Sequence, residues 1–430
     1  MKKHLLLFVS FFILTNLLAQ ERQILRLASE QIEALFLENN LQLIAEHLNI
    51  SIADAEIAQA KLWDNPSLEI GQINLWSTDT QREGEKEAIP PIFGSFARNT
   101  QFTIELSQLI QTAGKRGKLV NKEKVSKEIA IQEFEDVLRG LKVELRKSIN
   151  EIIYLQSYQK VLKSQGESFS QLIEGYKNQV AQGNIAKSEL LRLQSSLLEI
   201  ENEYNDLQIE INEQEKSLKT LLNIEPILII EIQDVCINAK NPDEVSLANL
   251  LEQASEFRPD VTRQRLQTKY HEKSLAYEKA QRIPDLAVNA NYDRYGGVWK
   301  DFVGFGVSFD LPFFNRNQGN IKAAKINRDQ SQYLAQQQQN MAQHEVVEAY
   351  SNYTMAYKFY NKINDNNLLS DIDSMLEIYT KNLLNRNVSM LEYIDFMDTY
   401  KANKETILTA RKKVSTLFEE LQYTVGTEIK

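Results

Sequence analysis

Two long stretches without proline dominate this chain of 430 residues, since no proline lies between Pro91 and Pro226 and none follows Pro312. Proline interrupts helices, so its absence over such lengths permits very long ones. Apolar residues recur there every seven positions, which predicts helices that supercoil against partners and are too long for a globular enzyme core. The clearest series are Leu138, Leu145 and Ile152; Leu141, Leu155 and Leu162; Leu190, Leu197, Tyr204, Ile211 and Leu218; Leu193, Ile200, Leu207 and Leu221; and Tyr393, Tyr400, Ile407, Val414 and Leu421.

The first nineteen residues have the pattern of a secretory signal peptide. Lys2 and Lys3 precede an apolar run from Leu5 to Leu14, and Ala19 offers a small residue for cleavage. No later run is long and apolar enough to predict a membrane-spanning helix. We therefore expect an exported protein whose relation to a membrane depends on its strands.

Composition excludes several classes of function. The net charge of −10 disfavours nucleic-acid binding, and the single Cys236 excludes an intrachain disulfide framework. The histidines of the mature chain, His47, His271 and His344, are widely separated, and the methionines show no ligand spacing, so no metal site is predicted. No phosphate-binding glycine loop or GxSxG motif occurs. We expect neither a cofactor nor an enzymatic activity.

An internal repeat organises the rest of the chain. Gly183–Ala186 lies 203 residues before Arg386–Ser389, and Leu106–Ile110 precedes Phe309–Phe313 by the same distance. Such a shared offset indicates a duplicated unit.

Each copy contains two segments in which apolar and polar residues alternate, as in a β-strand with one apolar face. The segments are Leu68–Trp76, Gln101–Ser107, Leu286–Asp293 and Val303–Asp310, the first with a break typical of a bulge. Trp76, Tyr292, Tyr295 and Trp299 lie near the loop ends, where interfacial aromatic residues occur. The alternative is two hairpins of a soluble sheet. Four strands cannot close a membrane barrel, so a membrane location requires several copies to pool their strands.

Several motifs in this order resemble those of the TolC-like outer-membrane efflux proteins, and within them the CzcC/CusC-like cation-efflux branch. The motifs are Ala60–Leu68, Glu256–Val261, Leu311–Phe314 and the paired turns at Gly183 and Arg386. The resemblance implies a mainly α fold with membrane β structure: a homotrimer whose 12-stranded β-barrel continues into a periplasmic α-helical barrel. It also implies a passive outer-membrane channel that works with a periplasmic adaptor and an inner-membrane pump of the resistance-nodulation-division type.

The resemblance also assigns the segments of the chain. They are 1–19, signal peptide; 20–66, N-terminal equatorial segment and first ascending helix; 67–110, first membrane β-hairpin; 111–223, first periplasmic helical hairpin with its tip at about 180–187; 224–259, equatorial segment; 260–283, second ascending helix; 284–312, second membrane β-hairpin; and 313–430, second periplasmic helical hairpin with its tip at about 383–390, and the C-terminal end.

Two sets of site residues follow from the resemblance. Adaptor-docking tips are expected at Gly183, Asn184, Ile185, Ala186, Asn387, Val388 and Ser389, with Arg386 where a tip glycine is common, although these segments can equally be plain turns. The residues themselves, apart from the resemblance, offer Ser188 or Ser389 to start the returning helix. A periplasmic gate is expected at Glu392 and Asp395, although Asp395 can equally be a solvated helix residue. The substrate stays open between heavy-metal cations, drugs and exported proteins. A periplasmic coiled-coil protein outside any membrane also stays open.

Overall fold

The long helices predicted from the heptads are present. The computed structural model describes residues 24–74, 101–233, 239–294, 301–365 and 368–429. Its helices are α1 (Ser29–Asn39), α2 (Leu41–Ala60), α3 (Lys115–Ala181), α4 (Lys187–Leu222), α5 (Leu247–Phe257), α6 (Pro259–Gln281), α7 (Gln318–Asp365), α8 (Leu368–Leu384) and α9 (Met390–Val425). Its strands are β1 (Ile24–Leu27), β2 (Ser67–Asn74), β3 (Gln101–Ile110), β4 (Ile229–Ile232), β5 (Leu286–Arg294) and β6 (Phe302–Ser308).

The chain divides into two compact units. The first contains the described parts of Met1–His47, Phe134–Val261 and Gln339–Lys430, and the second contains those of Leu48–Glu133 and Thr262–Gln338. Each unit therefore draws on both copies of the repeat. Among the described residues, no helix has the length and apolarity that crossing a membrane requires.

Heptad residues form the core of the first unit. Leu145, Ile152 and Leu162 on α3 have no exposed surface, and neither have Leu193 on α4 and Tyr393 on α9. Burying a side chain of this size stabilises the folded state by about 1.5–3 kcal/mol relative to exposure. One apolar cluster joins α3, α4, α8 and α9, so the two helical hairpins share a core.

The chain ends and the segment between the repeats meet in the same unit. Strand β1 pairs in parallel with β4, from Ile24 opposite Ile229 to Leu27 opposite Ile232. At the C-terminal end of α9, Gly426 adopts a left-handed conformation with φ of 84°. A Cβ at Gly426 would lie 3.0 Å from the Cα of Arg258, so only glycine fits this approach.

The second unit contains a four-stranded antiparallel sheet in the order β2–β3–β5–β6. The four predicted strands are therefore present. The predicted irregularity in β2 is also present, because the register shifts between Gly71 and Asn74 and Gln72 has a φ of 50°. The leader, the loop aromatics Trp76, Tyr295 and Trp299, and Cys236 lie outside the described residues.

Candidate functional site

The two predicted tips are turns of the same geometry. In the first, the backbone N–H of Gly183 donates to the carbonyl of Val180 at 3.0 Å, and that of Asn184 donates to Gln179 at 2.9 Å. In the second, Arg386 donates to Leu383 at 3.0 Å, and Asn387 donates to Asn382 at 2.9 Å. This pair of bonds is the Schellman motif, which ends a helix at a residue of left-handed conformation.

The left-handed residue differs between the two tips. Gly183 has a φ of 74°, and Arg386, which lies at the same position 203 residues later, has a φ of 62°. Glycine adopts this conformation without steric cost, whereas a residue with a Cβ adopts it at a cost of about 1–2 kcal/mol. The second tip is therefore built against the local preference of its sequence.

The tip residues divide into exposed and half-buried positions. Gly183, Asn184 and Ala186 are exposed in the first tip, as are Asn387 and Ser389 in the second. Ile185 and Val388, at equivalent positions, are half-buried, and Ile185 packs against the shared apolar cluster. Each tip thus presents polar backbone and amide groups around one half-buried apolar side chain.

One core holds both tips at the same end of the first unit. Tyr176, at the end of α3, belongs to the same buried cluster as Leu193, Leu383, Met390 and Tyr393. Burial raises the pKa of Tyr176, the nearby carboxylate of Glu189 adds to the rise, and the charge of Arg386 opposes it. Charged side chains next to both tips therefore shift the pKa of the same buried tyrosine.

The returning helices begin differently in the two copies. Ser389 is the N-cap of α9: its Oγ accepts from the Glu392 N–H at 3.3 Å, and the Glu392 carboxylate accepts from the Ser389 N–H at 2.8 Å. This reciprocal pair is a capping box. In the first copy the N-cap of α4 is Ala186, without a side-chain bond, and Ser188 lies inside the helix. The prediction for Ser389 is confirmed and that for Ser188 is wrong, because the extended backbone that precedes the helix falls at Ala186.

The two predicted gate residues have different surroundings. The hydrogen bonds from the backbone and hydroxyl of Ser389 hold the pKa of the Glu392 carboxyl below its usual value. Asp395, one turn later on α9, is exposed. Asp398 and Glu405 are also exposed, on the same face of α9 as Asp395. The sequence analysis did not include them, although the three-residue spacing from Glu392 to Asp395 continues to Asp398 and could have indicated it. The face of α9 that carries Asp395, Asp398 and Glu405 is therefore acidic.

Several polar contacts join α9 to the first hairpin. Glu203 on α4 accepts from Lys401 at 2.8 Å and from the Tyr158 hydroxyl at 2.6 Å. The buried Gln165 donates to the carbonyl of Met397 at 3.2 Å. Further along, Lys412 pairs with Glu151 at 2.8 Å and lies 4.0 Å from the centre of the Tyr154 ring. No local sequence signal pairs these residues, because each contact spans more than forty positions.

The sheet of the second unit has one apolar and one polar face. Leu68, Leu106, Ala290 and Phe305 are successive partners across the four strands, and their alternation defines the apolar face. Leu68 is 63% exposed and Phe305 is 84% exposed. Large exposed apolar patches of this kind mark sites of contact with another protein or a membrane.

The opposite face carries acidic and amide side chains. Glu69 lies opposite Glu105, which lies opposite Asn291. Asn289 donates to the Glu105 carboxylate at 2.8 Å. The next positions on β6 are Gly304 and Gly306, where a Cβ would collide with the side chains of Asn291 and Asn289. These glycines make room for a layer of polar side chains.

The sheet has two open edges in the part of the chain that the structure describes. Strands β2 and β6 each pair on one side only. Exposed strand edges carry unpaired N–H and C=O groups and tend to pair with another chain.

A family model described as outer membrane efflux protein matches residues 34–223 and 250–366, well over half of the chain. The chain belongs to the outer membrane efflux protein family. This efflux-family chain is 21% identical over 238 residues to the cobalt-zinc-cadmium resistance protein CzcC of Cupriavidus metallidurans. The match covers 54% of the chain and 56% of CzcC, so the chain spans little more than half the length of this curated relative.

Solved structures of outer-membrane channels share the fold of this efflux-family chain. The outer membrane protein VceC of Vibrio cholerae has a TM-score of 0.71 and 16% identity, with 94% of this chain and 97% of VceC covered. CusC has a TM-score of 0.72 and 16% identity, with 95% of each chain covered. The outer membrane channel CmeC of Campylobacter jejuni has a TM-score of 0.72 and 14% identity, with 93% and 85% covered. The family and the fold predicted from the sequence are confirmed.

Proposed function

We propose that this chain is the outer-membrane channel of a tripartite efflux system and conducts substrates passively to the exterior. The observation that carries the proposal is the sheet of the second unit. Its face with Phe305 is apolar and exposed, its other face with Glu69 and Glu105 is polar, and both edges are open. Alternation of apolar-out and polar-in residues is the pattern of a membrane β-barrel strand with a water-filled lumen.

The open edges support assembly from several copies. A sheet edge in hydrocarbon leaves backbone groups unsatisfied, so the strands of a membrane protein must form a closed barrel. Four strands are about half of the smallest such barrel. The TolC-like resemblance favours a homotrimer, in which β6 of one copy pairs with β2 of the next to give 12 strands. The helical hairpins 111–223 and 313–430 would then form the periplasmic barrel, with 224–259 and the chain ends as the equatorial region.

The paired tips support docking onto a partner. Residues Gly183–Ala186 and Asn387–Ser389 lie at one end of the first unit and present exposed polar groups. We place the periplasmic adaptor at these tips and the inner-membrane pump, of the resistance-nodulation-division type, beyond it. The channel then lies in the outer membrane of a Gram-negative bacterium, with its helices in the periplasm.

Asp395 is the better of the two gate residues. Its carboxylate is exposed, whereas that of Glu392 is occupied by the capping box. Threefold symmetry would turn Asp395 into a ring of carboxylates, and such rings attract cations in pores. Replacing Asp395 with Ala is expected to raise ion leakage through protein reconstituted in planar bilayers and to weaken block by divalent cations. Unchanged conductance and unchanged block would remove Asp395 from the gate, and Glu252→Gln on α5 serves as the matched control.

Heavy-metal cations are the substrates that we favour. The similarity to the cobalt-zinc-cadmium resistance protein CzcC and the acidic face of α9 support this choice. A deletion strain is expected to become sensitive to cobalt, zinc and cadmium salts, with resistance restored by the wild-type gene. Sensitivity to bile salts or drugs alone, or loss of a secreted protein, would instead assign the duct to drug or protein export.

The competing function is that of a periplasmic coiled-coil protein outside any membrane. Purified outer membranes are expected to contain a heat-modifiable oligomer of this chain that forms conducting pores in planar bilayers. Recovery of the exported chain as a soluble monomer without detergent would contradict the channel.

A further inference from the structure

Arg386 occupies a turn position that a glycine fills in the other copy of the repeat. The two turns have the same backbone hydrogen bonds, at 3.0 and 2.9 Å in each, so the same conformation is imposed on Gly183 and Arg386. Glycine adopts a positive φ freely, whereas arginine does not. A residue held in an unfavourable conformation at an exposed turn points to a role for its side chain.

The guanidinium of Arg386 is available to a partner. Arg386 is exposed, and among the described residues its guanidinium makes no hydrogen bond or ion pair; its backbone N–H alone is engaged, by Leu383. Two carboxylates close to the tips in sequence have local partners, because Glu174 pairs with Lys177 at 3.0 Å and Glu392 accepts from Ser389. The half-buried Glu189 raises the pKa of Tyr176, whereas the charge of Arg386 lowers it.

Exposed charges of both signs lie near the tips, with Glu392 and Asp395 on α9 beside a set of cations. Lys187 and Arg192 lie in the first turns of α4, and Lys381 lies in the last turn of α8. All three are exposed. We name Lys187, Arg192, Lys381 and Arg386 the cationic tip set. A cation at the turn position itself, such as Arg386, favours a partner that carries a carboxylate there, because like charges placed across an interface are repelled.

We infer that Arg386 binds a carboxylate side chain of the periplasmic adaptor and thereby helps to select which adaptor docks. The inference rests on the proposed function, because it assumes that the tips dock an adaptor. A guanidinium binds a carboxylate through two parallel hydrogen bonds, which fixes orientation as well as charge. The asymmetry between Gly183 and Arg386 would then distinguish the two tips, because only the second has a guanidinium at the turn position.

Binding of the purified adaptor to the full-length channel in detergent tests this inference. Arg386→Ala and Arg386→Glu are expected to weaken binding, the latter by roughly tenfold or more, and to flatten its dependence on ionic strength. Arg386→Lys is expected to keep part of the affinity. Lys216→Glu, the same change of sign on an exposed lysine near the other end of α4, is the matched control and is expected to bind normally.

A second variant separates recognition from folding. Arg386→Gly relieves the unfavourable φ and is expected to raise the thermal midpoint of the channel while weakening adaptor binding. A merely structural role would move stability and binding together. Replacing single carboxylates at the adaptor tip with lysine is expected to identify one change that restores binding to Arg386→Glu.

The outcomes distinguish the two proposals. Wild-type affinity and salt dependence in both Arg386→Ala and Arg386→Glu would overturn the role of Arg386 and leave the docking function intact. Absence of wild-type binding to the adaptor, in protein that still forms pores, would overturn docking by the tips and this inference together. Weakened binding that an adaptor lysine restores would establish the pair.

Discussion

Lys401 and Glu203 form an ion pair at 2.8 Å that joins the returning helices of the two hairpins, and Tyr158 donates to the second oxygen of the same carboxylate at 2.6 Å. Burial and the bond to Glu203 raise the pKa of the Tyr158 hydroxyl well above its usual value, so tyrosine remains the donor at all physiological pH values. One carboxylate therefore connects α3, α4 and α9.

Glu203→Gln is expected to loosen α9 from the first hairpin. Lys401 and Glu203 are each about one-third exposed, so solvent weakens the pair and stability should fall by less than about 1 kcal/mol. Single-channel conductance should nevertheless rise, because α9 carries the proposed gate residue Asp395 and a loosened α9 would no longer hold it in place. Glu199→Gln, at an exposed position on α4 close to Glu203, should leave conductance unchanged. Equal conductance in the two variants would contradict a restraining role for Glu203.

The capping box at the second tip gives a separate prediction. Ser389→Ala removes the side-chain cap of α9 and should destabilise the tip by about 1 kcal/mol. Glu392→Gln should retain the box, since glutamine also serves at this position, whereas Glu392→Ala should not. Amide hydrogen exchange at residues 389–393 should therefore quicken in the alanine variants and stay near the wild-type rate in Glu392→Gln.

The capping box should also respond to acid. The pKa of Glu392 is lowered in the folded state, so its contribution is present above the ordinary glutamate pKa and is lost as pH falls through the lowered value. Protection near Ser389, measured relative to the intrinsic exchange rate at each pH, should therefore fall in acid, and unchanged protection would contradict the assigned role of the Glu392 carboxylate.

The two glycines of β6 predict a steric requirement in the sheet. In Gly304→Val the new side chain would meet Asn291 and, at 2.9 Å, the ring of Phe302. Overpacking of this kind costs about 1–3 kcal/mol, so the yield of heat-modifiable oligomer should fall. Gly140→Ala is the control: no neighbouring atom lies within 4 Å of the added Cβ, and alanine should stabilise α3 by about 1 kcal/mol. A normal yield for Gly304→Val would contradict the tight polar face.

The buried pair of Arg258 and Asp260 predicts sensitivity to acid. Burial alone raises the pKa of Asp260, but Arg258 at 2.6 Å and Arg139 at 3.6 Å outweigh it and hold the pKa below its usual value. Stability from this group is therefore present above about pH 4 and is lost as pH falls through the lowered pKa.

Asp260→Asn should test this contribution. The variant should lose about 1.5–3 kcal/mol at pH 7, because Arg258 loses its charged hydrogen bonds to Asp260 but keeps its pair with Glu345 at 2.7 Å, and its stability should depend less on pH below 5. Denaturant unfolding at several pH values measures both effects. The exposed Glu38→Gln should behave as the wild type. A wild-type pH profile for Asp260→Asn would contradict the assignment.

The heptads and the alternating segments allowed most of the fold to be predicted. Each member of the series Tyr393, Tyr400, Ile407, Val414 and Leu421 is buried. A seven-residue spacing determines which face of a helix meets its partners, and a two-residue spacing does the same for a strand. Helix α6 begins at Pro259, a residue type that suits the first turn of a helix.

Local patterns could not reveal the contacts between distant residues. The pair of Glu203 and Lys401 spans 198 positions, and the bond from Arg258 to the carbonyl of Thr424 spans 166. Such contacts depend on the relative placement of helices, which no short window of sequence encodes. The conformation of Arg386 was accessible only through the repeat, because Gly183 occupies the equivalent position.

The proposed trimeric barrel requires that β2 in one copy pair with β6 in the next. A scan by cysteine cross-linking tests this directly, with Cys236→Ser as background, a cysteine at Ile70, and a second cysteine in turn at Val303, Phe305 or Val307. If the trimer forms, at least one of these cysteine pairs should give oxidised dimers and trimers in outer membranes, and no larger species. Cross-linking only within a single chain, or none in membranes that contain the protein, would contradict it.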